Sequence, residues 1–316
     1  MANYLVTGGA GFIGSNIAEA LAERGDKVRV LDNLSTGFRR NFEDLGITDF
    51  VEGDVSDPEV VAKAVAGIDV VYHQAALASV PRSVEKPMDT NEACVTGTLN
   101  VLNESRKANV KRVIYAASSS AYGDQPFMSK RESDLPSPLS PYAVAKLAGE
   151  FYCQAFYQTY GLETVCIRYF NVFGPRQDPA SPYSAVIPIF ITALLEGRQP
   201  VIYGDGEQTR DFTFIRNVVH GNLLAAEAPA DKVAGKKFNV ANGKTVSLNS
   251  MLAQLNELLG TDVQPKFEPA RVGDVRDSLA DISAARKCLS YEPQVSFEDG
   301  LKQSIEFYRS LLVGKA

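Results

Sequence analysis

The stretch YLVTGGAGFIGSNIAEAL, residues 4–21, decides the fold. An apolar run enters a glycine turn, with Gly8, Gly11 and Gly14 three residues apart, and leaves it in a segment with helical spacing that begins Phe12, Ile13. Glycines at that spacing permit a tight turn and the close approach of a pyrophosphate to a helix N-terminus, where unpaired N–H groups and the dipole favour an anion. A glycine pattern alone is a weak signal. Here it occupies the first strand-to-helix junction, and the second apolar run ends in Asp32, eighteen residues after Gly14. A carboxylate there accepts hydrogen bonds from an adenosine ribose and repels a 2′-phosphate, which favours NAD over NADP.

Outward from this junction, short apolar runs alternate with helix-like segments. The runs are YLVTG (4–8), VRVLD (28–32), FVEGD (50–54), DVVYHQAA (69–76), RVIYAAS (112–118) and TVCIRYF (164–170). Segments 12–24, 58–66, 93–108 and 141–160 carry the 3.6-residue period between them. The alternation predicts α/β architecture with a doubly wound parallel Rossmann-type sheet. After Phe170 the chain turns rich in Pro and Ser, GPRQDPASPYS (174–184), and its later elements are shorter. This predicts a dinucleotide-binding domain over 1–170 and a smaller C-terminal α/β substrate region over 171–316, some segments of which return to the first domain.

The chain has 316 residues, 45% of them apolar and 22% charged, with no apolar stretch of membrane-spanning length. The N-terminus shows no secretory pattern, so the expected location is cytoplasmic. The net charge of −6 argues against a nucleic-acid surface. Cys94, Cys153, Cys166 and Cys288 lack CxxC spacing, and with only two histidines neither a disulfide framework nor a metal site is expected.

Within SPYAVAK (140–146), Tyr142 and Lys146 lie four apart and share a helical face. Taken alone, such a pair is more often ordinary surface. The fifth apolar run, however, ends in Ser118, Ser119 and Ser120, which brings hydroxyls to the same ligand-binding edge as the glycine turn. A nearby ammonium and a positive nicotinamide favour the phenolate over the phenol, and a tyrosine so tuned can remove a proton from an alcohol. Asp54 and Val55 end the third run, and Gln74, Ala75 and Ala76 the fourth, again at the carboxyl edge where open α/β sheets bind ligands. On residue type alone Asp54 has the alternative reading of a neighbour of the next helix cap.

In their order, TGGAGFIGS (7–15), DNLSTG (32–37), GDV (53–55), SSSAYGD (118–124), SPYAVAK, RYFNVFGPRQ (168–177), YGDGEQTRDF (203–212) and RVGDVRDSLAD (271–281) span nearly the whole chain. Together they resemble the extended short-chain dehydrogenase/reductases, specifically the nucleotide-sugar 4-epimerases. The resemblance implies Tyr142 as base, Lys146 as partner of the phenolate and the cofactor ribose, and Ser118 as the hydroxyl bridging sugar O4 and Tyr142. It places Asp32, Asn33, Ser35 and Gly37 around the adenosine ribose, Asp54 and Val55 at the adenine, and Phe170 by the nicotinamide. Ser119 and Ser120 either line the sugar site or form a plain strand-end turn. On the nucleotide side it implies Arg210 and Arg271 on the diphosphate with Asn171, Asp274 on the uridine ribose, and Tyr203 in PVIYG along the uracil. Without their motifs these arginines would read as solvated surface. The family helix usually opens with asparagine in NVxGT; CVTGT (94–98) puts Cys94 there, and a thiol is a poorer hydrogen-bond partner than an amide.

The reaction implied is reversible C4 epimerisation of a UDP-hexose. Tyr142 takes the 4-OH proton while hydride moves to NAD, the 4-keto sugar turns over, and hydride returns to its other face. Serines rather than an acidic residue follow Ser118, which favours this over elimination or decarboxylation. Ser278, seven residues after Arg271, stands where a tyrosine resembles enzymes restricted to glucose and galactose; the small side chain favours UDP-GlcNAc/UDP-GalNAc, with UDP-Glc/UDP-Gal alongside. Ser79 and Arg82 in SVPRS (79–83) adjoin the sugar loop, and Arg82 raises the alternative of a uronate C6 carboxylate, although a capping or solvated role fits it as well. A net NAD-dependent sugar dehydrogenase is the further alternative. The helices at 93–108 and 141–160 resemble the family's four-helix dimer interface, so a homodimer is expected, with no nucleic-acid or membrane partner.

Overall fold

The structure is a computed structural model and describes residues 2–125, 128–179, 185–270 and 276–313. Seven parallel strands form the main sheet: β1 (Asn3–Thr7), β2 (Lys27–Asp32), β3 (Asp49–Glu52), β4 (Val70–His73), β5 (Arg112–Ser118), β7 (Glu163–Tyr169) and β12 (Lys236–Val240). Their order is β12-β7-β5-β4-β1-β2-β3. The chain winds outward from β1 to β3 and then crosses back to β4, so the strand order reverses between β1 and β4 and leaves a crevice at their carboxyl ends.

Side chains alternate across this sheet, as the two-residue period of a strand requires. Leu5, Leu31, Val71 and Val113 pack on one face with Val61, Leu102 and Phe156 from helices Pro58–Val65, Gly97–Lys107 and Pro141–Tyr160. Val6, Val30, Tyr72 and Ile114 pack on the other with Ile17 and Leu21 of helix Phe12–Glu23 and Val218 of helix Ile215–Glu227. Both faces are therefore covered, which is why the strands read as continuous apolar runs.

Helix Pro141–Tyr160 starts at a Ser140 cap that accepts the Ala143 N–H at 3.2 Å, with Pro141 in the first turn, and stops at Gly161 in the left-handed conformation. Such a cap stabilises the helix by about 1 kcal/mol. Gly149 lets the helix sit directly on β5: a Cβ there would lie 2.2 Å from the Tyr115 hydroxyl.

A second sheet has the order β13-β10-β15-β6 and joins β6 (Ser129–Lys130), β10 (Thr209–Arg210), β13 (Val246–Ser247) and β15 (Asp277–Ala280). Two further pairs are β8 (Val172–Phe173) with β11 (Thr213–Phe214), and β9 (Val201–Tyr203) with β14 (Lys266–Glu268). The division near residue 170 is crossed in both directions. β6 leaves the first half for the second sheet, whereas helix Ile215–Glu227 and β12 return from the second half to the first. Among the described residues, no helix is long and apolar enough to cross a membrane, and no group of three or more His, Cys, Asp or Glu side chains could hold a metal ion.

Candidate active site

The crevice at the carboxyl edge is a cleft of about 790 Å³. It gathers Gly8, Gly11, Phe12, Ile13 and Gly14 from the first turn, Asp32, Asn33, Ser35 and Gly37 from the loop after β2, and Asp54 and Val55 after β3. Gln74, Ala75, Ala76, Ser79 and Arg82 after β4, and Tyr142 and Lys146 from the long helix, complete the expected set that lines it. Gly14 is required by space: a Cβ there would stand 2.1 Å from the Gly8 carbonyl oxygen.

Asp32 is nearly buried and accepts the Ala10 N–H at 3.0 Å and the Leu34 N–H at 2.8 Å. Burial raises its pKa and the two N–H bonds oppose that rise. Each carboxylate oxygen takes one of these bonds and retains a lone pair for a ribose hydroxyl. The Asn33 amide donates to Asp54 at 2.6 Å, fixing the two loops that would enclose the adenosine. Asp54 does not cap the next helix; Asp57 does, accepting the Glu59 N–H at 2.9 Å. The turn, the ribose acceptor and the buried lysine suit a dinucleotide.

Lys146 is buried, and its ammonium donates to the Ala116 carbonyl at 2.7 Å and lies 5.1 Å from the Tyr115 ring centre. Burial lowers its pKa below the ordinary lysine value. Tyr142 is half-buried and lines the cleft. Burial raises the Tyr142 pKa, the nearby Cys94 adds to the rise, and the neighbouring Ser118 hydroxyl opposes it. The Lys146 ammonium sits 5.9 Å from the Tyr142 ring centre and has the Ala116 carbonyl as a hydrogen-bond partner. A cation at that range favours the phenolate, and the positive nicotinamide would add to this when the cofactor is bound.

Ser118, Ser119 and Ser120 are half-buried. Ser118 Oγ accepts the Ser120 N–H at 3.2 Å and bonds the Ser120 hydroxyl at 2.9 Å, so Ser120 orients Ser118. Ser79 caps helix Val80–Glu85 through the Arg82 N–H at 3.1 Å, which leaves the Arg82 side chain on the cleft. Phe170, expected beside the nicotinamide, is fully buried, 6.0 Å from the Tyr122 ring, and does not line the cleft. Tyr169 lines it instead, with its hydroxyl 3.1 Å from Gln74 Oε1 and 3.0 Å from Asn222 Oδ1. Tyr169 is the last residue of β7 and Phe170 lies just past the strand, turned into the core.

The sequence also passed over His73. Its Nδ1 lies 2.7 Å from Thr7 Oγ1 and its Nε2 3.0 Å from Thr98 Oγ1, while Thr98 donates to the Cys94 carbonyl at 2.7 Å. Because Thr98 has given its proton, His73 carries its own on Nε2. Burial, with the Lys146 charge assisting, pushes the His73 pKa down to about 3, so it stays neutral. Cys94 lies buried in a π turn, Glu92–Thr96, of the kind that often marks functional sites.

On the nucleotide side, Arg210 in β10 pairs across from Ser278 in β15. Arg210 donates to the Thr209 and Arg276 carbonyls, each at 2.9 Å. Asn171 has φ 34, a left-handed conformation uncommon outside glycine, and its amide donates to the Asp211 carbonyl at 3.1 Å. Tyr203 ends β9, away from the cleft-lining set. Arg271 and Asp274 lie outside the described residues.

Comparison with known proteins agrees with this geometry. Residues 4–241 match the NAD dependent epimerase/dehydratase family. A UDP-glucose 4-epimerase of Mycolicibacterium smegmatis is 37% identical over 311 residues, covering 97% of this chain and 98% of its own. A UDP-N-acetylglucosamine 4-epimerase from Methanobrevibacter ruminantium, solved with UDP-N-acetylmuramic acid, superposes with TM-score 0.93 at 40% identity, covering 98% of this chain and 99% of its own. A UDP-glucuronic acid 4-epimerase from Bacillus cereus, solved with UDP-glucuronic acid and NAD, superposes at 0.89 with 31% identity and the same coverage. The chain belongs to the NAD-dependent epimerase/dehydratase family. It is an enzyme, its cofactor is NAD, and within the family it is similar to the UDP-sugar 4-epimerases.

Proposed function

We propose that this enzyme interconverts UDP-GlcNAc and UDP-GalNAc by reversible epimerisation at C4, and that it takes UDP-Glc and UDP-Gal in the same pocket. The observation that carries the reaction is Tyr142 lining a dinucleotide cleft close to Ser118, with the buried Lys146 on the same cleft. NAD supplies the hydride acceptor and donor at the sugar C4. Tyr142 receives the 4-OH proton and returns it, and Ser118 holds the sugar oxygen between the two transfers. Lys146 keeps further N–H groups for the cofactor ribose. The absence of an acidic residue among Ser118, Ser119 and Ser120 supports simple oxidation and re-reduction over elimination.

For the sugar, the support is Ser278. It is half-buried on β15 opposite Arg210, and its small side chain leaves room for an N-acetyl group. The N-acetylglucosamine 4-epimerase relative agrees with that reading. A second reading rests on Arg82, which lines the cleft and could pair with a C6 carboxylate; the glucuronic acid 4-epimerase relative accords with it. Separate incubations with UDP-GlcNAc, UDP-Glc and UDP-GlcA decide between them. Turnover of UDP-GlcA alone would transfer the assignment to Arg82.

The protein acts as a homodimer in this reading. Val144 and Phe151 on helix Pro141–Tyr160 are 54% and 59% exposed and lie on one face with Tyr152, while Val95 and Leu99 present a half-buried apolar row on the neighbouring helix. Two such faces, one from each copy, would bury each other.

A further inference from the structure

Asp211 lies between Arg210 and the core aromatic Phe212, is fully buried, and has no role in the chemistry above. Its carboxylate accepts three backbone N–H groups from two separate segments: Asn242 at 3.0 Å on Oδ1, and Gly243 at 3.0 Å and Ala280 at 3.2 Å on Oδ2. Its own N–H donates to the Ser278 carbonyl at 2.7 Å, and its carbonyl accepts the Asn171 amide at 3.1 Å. Every hydrogen-bonding group of one residue is thus engaged. The partners include two of the expected nucleotide-sugar residues, Asn171 and Ser278, and the third, Arg210, is its chain neighbour.

We propose that Asp211 is the positioning residue of the nucleotide-sugar half-site, the point through which Asn171, Arg210 and Ser278 are held in one arrangement that fits a nucleoside diphosphate sugar. The inference rests on the reaction proposed above and deepens it. Three converging donors require a group that only accepts, which the carboxylate is once ionised above about pH 7 and an amide is not. An asparagine of the same shape would turn its NH₂ toward at least one N–H. The bonds are charge-assisted and therefore stronger than neutral ones. Burial works against them and pushes the Asp211 pKa up to about 7, with the Ala280, Asn242 and Gly243 N–H groups opposing that rise. A buried carboxylate under that penalty is a poor device for stability, where an apolar side chain of similar size serves as well or better. Its geometric demand is what distinguishes it: it fixes β10, β15, the Asn242–Gly243 turn and the left-handed Asn171 relative to one another.

The test uses the full-length NAD-bound enzyme and Asp211→Asn. The expected result is unchanged NAD content, kcat within about threefold, and at least a roughly tenfold rise in both KM for the UDP-sugar and Kd for UDP alone, measured by calorimetry. A lower melting temperature with UDP affinity unchanged would overturn the proposal, because a merely structural residue gives that pattern. If Asp211→Asn does not fold, amide hydrogen exchange on the wild type decides: UDP should slow exchange at Asn242, Gly243 and Ala280, and no slowing there overturns the proposal. A wild type that binds UDP but turns over no UDP-sugar would overturn the assigned reaction, while the UDP affinity of the variant still decides the role of Asp211.

Discussion

Replacing Tyr142 by phenylalanine removes one oxygen and its proton from a half-buried side chain close to Ser118. Ser118 keeps the Ser120 hydroxyl at 2.9 Å and the Ser120 N–H at 3.2 Å, so no polar atom is stranded. At most one hydrogen bond, worth about 1 kcal/mol, is lost, and relief of hydroxyl burial offsets part of that. Stability should therefore change by no more than about 1 kcal/mol, a shift of a few degrees in Tm. Catalysis should respond on another scale. Loss of a positioned general base lowers the rate by roughly 10²–10⁴, or about 3–5 kcal/mol on the barrier. The assay compares variant and wild type at equal NAD content, following the appearance of the C4 epimer by proton NMR. Activity within tenfold of wild type would refute the assignment of Tyr142 as base, and a fall in activity matched by a fall in NAD content would show a binding or folding effect instead.

Three further outcomes follow from particular residues. Ser278→Tyr should lower kcat/KM for UDP-GlcNAc by about 5- to 150-fold, the effect of 1–3 kcal/mol of overpacking, while UDP-Glc turnover is retained; equal losses on both sugars would contradict the pocket argument. Because the folded-state pKa of Asp211 is raised to about 7 from an ordinary 3.8, the folded protein binds a proton between about pH 4 and 7 that the unfolded chain lacks. Stability should therefore fall as pH rises through that window, by at most about 4 kcal/mol, and urea unfolding of Asp211→Asn should show a flatter slope; identical slopes would count against the raised value. If the wild type sediments as the proposed dimer, Phe151→Glu should sediment as a monomer, whereas an unchanged mass would place the interface elsewhere.

Much of the fold could be read from the sequence because β1, β2, β4, β5 and β7 are largely buried and appear as apolar runs, while β3, at the sheet edge, still shows Phe50 and Val51. β12 escaped notice because its sequence, KKFNV, mixes charge with Asn239, which is buried only because Tyr122 donates to its amide oxygen and its NH₂ donates to the Lys130 and Asp281 carbonyls. Those partners lie 42 to 117 residues away along the chain, beyond any local pattern. Most of the residues that line the cleft were legible since they follow the carboxyl ends of strands at one edge of the sheet. Tyr169 was hidden by its neighbour Phe170, and only the strand register, which sets Tyr169 across from Ser118, separates the cleft-facing ring from the buried one. Asp211 read as one more acidic residue in a loop; its meaning lies in three N–H groups brought to it by tertiary structure.

The proposed reaction leaves the cofactor unchanged at the end of each cycle. In a proton NMR time course of the purified wild type with UDP-GlcNAc and no added reductant, conversion to UDP-GalNAc should approach equilibrium with no accumulation of reduced cofactor. Stoichiometric NADH with no epimer would contradict it and identify a net dehydrogenase.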